Sequence, residues 1–163
     1  MPCEAPNERL ERPNAEVLHR VFPGDPLAVR AALAAAQEAI APYLDDVEDR
    51  GTLEIVLAEV LNNIVEHAYR TAPGEIDLRI ALGPAGLEVC IVDHGSPLPG
   101  GRPPRARLPQ RRIDHPLPEG GFGWGLIRAL SSDLRYRREG GRNLLCFRLP
   151  LERSRVEQSR AED

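Results

Sequence analysis

Leu57-Ala58-Glu59-Val60-Leu61-Asn62-Asn63-Ile64-Val65-Glu66-His67-Ala68-Tyr69-Arg70 carries two patterns at once. On a helical wheel Leu53, Val56, Leu57, Val60, Leu61, Ile64 and Ala68 form one apolar stripe. Glu59, Asn62, Asn63, Glu66 and Arg70 lie opposite. The first pattern predicts a long amphipathic helix from about Thr52 to Tyr69. The second is chemical. Asn is a poor interior helix former that competes for the backbone, so two adjacent Asn residues on a merely solvated face are an expensive choice. Glu59 and Asn63, at i and i+4, project a carboxylate and an amide oxygen side by side. An amide oxygen suits a hard cation such as Mg²⁺, and a nearby carboxylate suits proton abstraction from a hydroxyl.

The elements around this helix follow from period and punctuation. Residues 1–14 read as a disordered lead-in, and Ala15 to Phe22 as a strand ended by Pro23-Gly24. Asp25 with Pro26 opens an Ala-rich helix expected to run to Tyr43, and the acidic stretch 44–51 reads as a connection or a helix start. After Pro73-Gly74, Ile76, Leu78, Ile80 and Leu82 alternate on one strand and Leu87, Val89 and Ile91 on the next. The turn Gly83-Pro84-Ala85-Gly86 between them predicts an antiparallel hairpin. From His94 to Glu119 there are seven Pro, five Arg and no period, as in a functional lid or an inserted loop. A helix from about Trp124 to Leu130 and a hairpin, 134–138 and 143–149 around Gly140-Gly141, close the domain at about residue 151, leaving a charged tail from 152. The order β-α-α-β-β-lid-α-β-β predicts an α+β fold: a two-layer α/β sandwich with a mixed, mostly antiparallel sheet and helices on one face.

Composition narrows the chemistry. The chain has 163 residues, enough for one domain, and a net charge of −4, which points away from nucleic acid or an anionic membrane as partner. All 21 basic residues are Arg. A Walker A loop, a kinase strand lysine and a Schiff base all require Lys, so nucleotide chemistry here must rest on backbone N–H groups, Arg and a metal. The four His are scattered without an H-E-x-x-H spacing, which argues against a zinc site. Three Cys without C-x-x-C pairing point to a reducing compartment, and the start of the chain lacks an apolar signal segment. A cytoplasmic protein with no membrane span is expected.

Two further motifs follow the helix. Asp93-His94-Gly95-Ser96-Pro97 leaves an apolar strand end, where a carboxylate pinned by Gly can accept from an adenine amino group, or simply close an Asx turn. Gly120-Gly121-Phe122-Gly123-Trp124-Gly125-Leu126 opens a helix, where glycines admit a close phosphate and the helix terminus favours an anion. A flexible hinge reads equally well from the glycines alone.

E-x-x-x-N on a helix, D-x-G after a strand and G-x-G opening a helix beyond a long lid, in this order, resemble the Bergerat-fold ATPases. Within them LAEVLNNIVEHAYR, VDHGSPLP, GGFGWGLIRALSSDLRY and GGRNLLCFRLPL look like the bacterial anti-sigma-factor serine/threonine kinases over roughly residues 15–150. The resemblance implies Glu59 as general base, Asn63 as Mg²⁺ ligand and Asp93 as the adenine-reading aspartate, with Gly95 giving the base room. It places ATP against Gly121, Phe122, Gly123, Trp124, Gly125 and Leu126, with Gly121 and Gly123 meeting the phosphates under the lid. It also implies phosphorylation of a STAS-type antagonist protein, possible sequestration of a sigma factor, and a homodimer. D-H-G-S-P departs from the D-x-G-x-G common in the superfamily, and Gly125 is a second small departure. Arg102, Arg105, Arg107, Arg111 and Arg112 either neutralise the γ-phosphate or only keep the loop soluble. The alternatives are a nucleotide-binding anti-sigma module with little kinase activity and a detached histidine-kinase catalytic domain.

Overall fold

A computed structural model of the chain describes residues 15–105 and 122–151. The lead-in, the tail, Gly120, Gly121, Arg107, Arg111 and Arg112 lie outside the described residues.

Asp46 decides where the long helix begins. Its carboxylate accepts from Glu48 N at 2.7 Å and Asp49 N at 3.0 Å, so the acidic stretch is an N-cap and first turn complementing the helix dipole. Helix α2 therefore runs Val47–Asn63, five residues earlier than the periodicity predicts, and continues as a π-helical turn, Ile64–Ala68. That turn closes with Tyr69 N donating to Ile64 O at 2.9 Å. Helix α1, Pro26–Ile40, is capped by Asp25 as expected. It stops short of Tyr43 because Pro42 has no N–H to continue the ladder.

Strands β1 (Ala15–Pro23), β2 (Glu75–Gly83), β3 (Gly86–Asp93), β4 (Ser132–Glu139) and β5 (Arg142–Leu149) form one sheet in the order β1-β2-β3-β5-β4. Each of its pairings is antiparallel. The expected α+β sandwich is the fold found. Register stacks Leu78, Ile91 and Leu145 in one row and Ile80, Val89 and Phe147 in the next, all buried against the helices. Leu53, Val56, Leu57, Val60 and Leu61 from α2 and Ile127 from α3 (Gly123–Leu130) complete this core. Each such buried aliphatic side chain contributes about 1.5–3 kcal/mol, so the α2 stripe is a principal support of the layer.

The same register overturns one expectation. Cys90 and Cys146 are direct cross-strand partners with Cα atoms 4.2 Å apart, and they form a disulfide between β3 and β5. Their separation of 56 residues hides the pair from any local spacing rule, and with it goes the argument from unpaired thiols to a reducing compartment. Among the described residues no helix is long and apolar enough to cross a membrane.

Candidate functional site

The C-terminal end of α2, the C-terminal end of β3 and the start of α3 converge on a cavity of about 480 Å³. That is within the range of small-molecule sites, which span roughly 300–1,000 Å³. Asn63 and His67 line it from the helix side, Asp93 and Asn143 from the sheet, and Trp124 from α3. Pro97, Leu98, Pro99 and Pro104 make a wall from the connection after β3.

Asp93 is the last residue of β3 and is only 5% exposed. Its Oδ1 accepts from Asn143 Nδ2 at 2.7 Å and from Gly95 N at 2.8 Å. Burial pushes the Asp93 carboxyl above the ordinary carboxylate value, against the opposing pull of those two hydrogen bonds. Among the described residues no protein donor occupies its other oxygen, Oδ2. The loop beyond it is gripped from two sides. Ser96 N donates to Ala68 O at 2.9 Å, and His94 N donates to Tyr69 Oη at 2.9 Å. From the other side Asn143 Nδ2 reaches Ser96 O at 3.0 Å, and Arg138 donates to Gly95 O at 2.9 Å. Gly95 packs so closely on the Ala68 carbonyl that a Cβ there has no room. Arg128 of α3 holds the far part of the wall, donating to Pro103 O at 2.8 Å and Pro104 O at 2.6 Å.

The opposite end of the site is bare. Among the described residues, buried Asn63 Nδ2 has no hydrogen-bond partner. A Cβ on Gly123 would fall 2.5 Å from Glu59 Oε2, so a side chain there would push the carboxylate out of its place against the start of α3. Glu59 and Asn63 remain side by side there, close to the free N–H groups of the first turn of α3.

Residues 22–149 match the histidine kinase-like ATPase domain family. The chain belongs to that family. Serine-protein kinase RsbW of Bacillus cereus is 30% identical over 132 residues, covering 79% of each chain. The RsbW of Bacillus thuringiensis is similar to the same extent, 30% over 132 residues. Two solved structures share the fold. The histidine kinase domain of the blue-light activated kinase of Erythrobacter litoralis gives a TM-score of 0.51 at 21% identity, with 78% of this chain and 63% of that one covered. The RsbU and RsbW domains of a Mycobacterium tuberculosis protein give 0.52 at 19%, covering 82% of this chain and 32% of the other. The chain thus spans under two thirds of those two longer proteins.

The chain is accordingly an ATPase-type domain of RsbW-like descent, and ATP is the cofactor that the family implies. Of the residues singled out in the sequence, Asn63, Asp93 and Trp124 line the cavity. Glu59 does not line it but lies against Gly123 at the start of α3, and Gly95 acts by packing beneath the loop. Phe122 and Gly123 sit at the start of α3, and Gly125 is buried within that helix. Leu126 N is already spent inside the helix on Phe122 O at 3.0 Å. Sequence reasoning missed Asn143, Tyr136 and Tyr69. The only local trace of Asn143 was an amide at the second position of an apolar strand, where Asn is normally depleted.

The donor set fits Mg²⁺ and ATP. Among the described residues Asn63 Nδ2 has no partner and Asp93 Oδ2 no donor, so both are open to a ligand. With nothing there to fix its orientation, the Asn63 amide can turn its oxygen towards a cation.

Proposed function

We propose that the chain is a Mg-ATP-dependent serine/threonine protein kinase that phosphorylates a STAS-domain antagonist. Through that reaction it would control a sigma factor by partner switching, as a homodimer. The observation that carries this reading is that Glu59 lies beside Asn63, which lines the same cavity as Asp93. A chain that only bound nucleotide to set its shape would have no use for a carboxylate held beside the bare amide. The RsbW relatives, named serine-protein kinases, support the same assignment.

In this reading Asp93 Oδ2 accepts from the adenine amino group, and Gly95 leaves the loop low enough to admit the base. Asn63 holds Mg²⁺, which when bound neutralises phosphate charge. The N–H groups at the start of α3 face the phosphates. Glu59 takes the proton from the substrate hydroxyl as it attacks. Arg102 and Arg105 are the described arginines of the connection available for further charge. Incubation with γ-labelled ATP, Mg²⁺ and a cognate STAS-domain protein tests the assignment. It predicts an acid-stable phosphoserine or phosphothreonine on the partner. An acid-labile phosphohistidine, or ATP binding without any transfer, contradicts it.

A further inference from the structure

We propose that Asn143 and Tyr136 are positioning residues for base selection, because they hold the Asp93 carboxylate in the orientation that turns one acceptor oxygen towards the ligand's 6-amino group. The inference rests on the ATP reading of the cavity and adds what enforces base choice.

The argument is one of saturation. Asn143 is 4% exposed, and its amide uses all of its capacity. Nδ2 donates to Asp93 Oδ1 at 2.7 Å and to Ser96 O at 3.0 Å, with Gly95 O further off at 3.3 Å. Oδ1 accepts from Tyr136 Oη at 2.7 Å and from Arg138 at 2.6 Å. A flipped amide would set its NH₂ against two donors and its oxygen against a carboxylate, so only one orientation is consistent. Tyr136 Oη is likewise committed, since it accepts from Leu98 N at 3.0 Å while donating to Asn143. The result is a one-way relay: Leu98 N–H to Tyr136, Tyr136 to Asn143, Asn143 to Asp93 Oδ1. Such a chain strengthens each member by polarisation.

The relay has a consequence for specificity. With Oδ1 engaged by Asn143 and Gly95, the oxygen left to the cavity is a pure acceptor. A purine amino group fits it, whereas a 6-oxo purine sets acceptor against acceptor. Neither Asn143 nor Tyr136 has a bond to spare for the base, so both act through Asp93.

Inosine triphosphate replaces the 6-amino group of ATP by a 6-oxo group and carries a hydrogen on the adjacent N1, which makes the ATP:ITP affinity ratio the discriminating readout for this edge of the base. Wild-type protein is expected to prefer ATP. Tyr136→Phe, which removes a single oxygen, and Asn143→Leu should each lower that ratio about tenfold or more, the scale of a hydrogen bond to a charged group. A general loosening of the fold weakens both nucleotides equally and leaves the ratio alone. If Asn143→Leu does not fold, Tyr136→Phe carries the test. Unchanged ratios in the folded variants overturn the proposal, as does a wild type that binds ATP and ITP alike. A wild type that binds neither nucleotide overturns the ATP reading as well.

Discussion

The two ends of the cavity are prepared in opposite ways. At the base end every polar atom of Asn143 is engaged, and Tyr136, Arg138, Tyr69 and Ala68 hold the loop on which Asp93 stands. At the α2–α3 end Asn63 Nδ2 has no partner among the described residues, and Glu59 is met by the backbone of Gly123. A saturated network fixes geometry before the ligand arrives, which is what recognition needs. Unsatisfied groups cost stability until a ligand completes them, which is what a site for a metal and a moving phosphoryl group requires. The contrast predicts that substitutions at the two ends will separate affinity from stability.

The largest effect is expected from Asp93→Asn, which replaces the acceptor facing the base with a donor. ATP affinity should fall about 100-fold or more, as for loss of a charged hydrogen bond plus a mismatched one. Because burial raises the Asp93 pKa, the folded state holds its proton to higher pH than the unfolded chain does. Ionising it therefore removes stability as pH rises from the ordinary carboxylate value through the raised one. Asp93→Asn should consequently leave the melting temperature no lower than wild type, and calorimetry of both variants checks each half. The same shift makes ATP affinity decline on acidification from a pH above the usual carboxylate range. A titration series in which affinity holds down to about pH 4, the unperturbed value, would refute that.

Next comes a pair of opposite signs. Asn63→Ala removes an unsatisfied buried amide, so the apo protein should gain on the order of 1 kcal/mol while Mg-dependent ATP binding is lost. Asn143→Leu breaks five hydrogen bonds and strands their partners, so the apo protein should lose about 2–3 kcal/mol. Denaturant melts of the two variants side by side decide the point, and equal signs would erase the distinction between the ends. The smallest change is Gly123→Ala. Its methyl group displaces the Glu59 carboxylate, so phosphoryl transfer should drop about tenfold with ATP affinity nearly intact, in keeping with the sensitivity of catalysis to small misplacements.

How much of this was legible beforehand depended on range. The α2 stripe, both hairpins and the Glu59/Asn63 spacing are local patterns, and all are present in the structure. The start of α2 stayed open between a connection and a helix start, because Asp45-Asp46 suits either until Asp46 is seen accepting from the first turn. The placement of β5 between β3 and β4 has no periodic signature. Asn143 meets Asp93 across 50 residues and Cys90 meets Cys146 across 56, so only the register of β3 with β5 reveals either pair. The bare end of the site was therefore readable from one helix. The saturated end needed the assembled sheet.

The central claim is that Glu59 serves chemistry and Asp93 serves binding. Glu59→Gln tests it most directly, with the ATP dissociation constant and single-turnover transfer to the STAS-domain partner measured on the same preparation. The account predicts an unchanged dissociation constant and transfer slowed about 10²–10⁴-fold, the usual contribution of a general base. Transfer at the wild-type rate, or a loss confined to ATP binding, would contradict it.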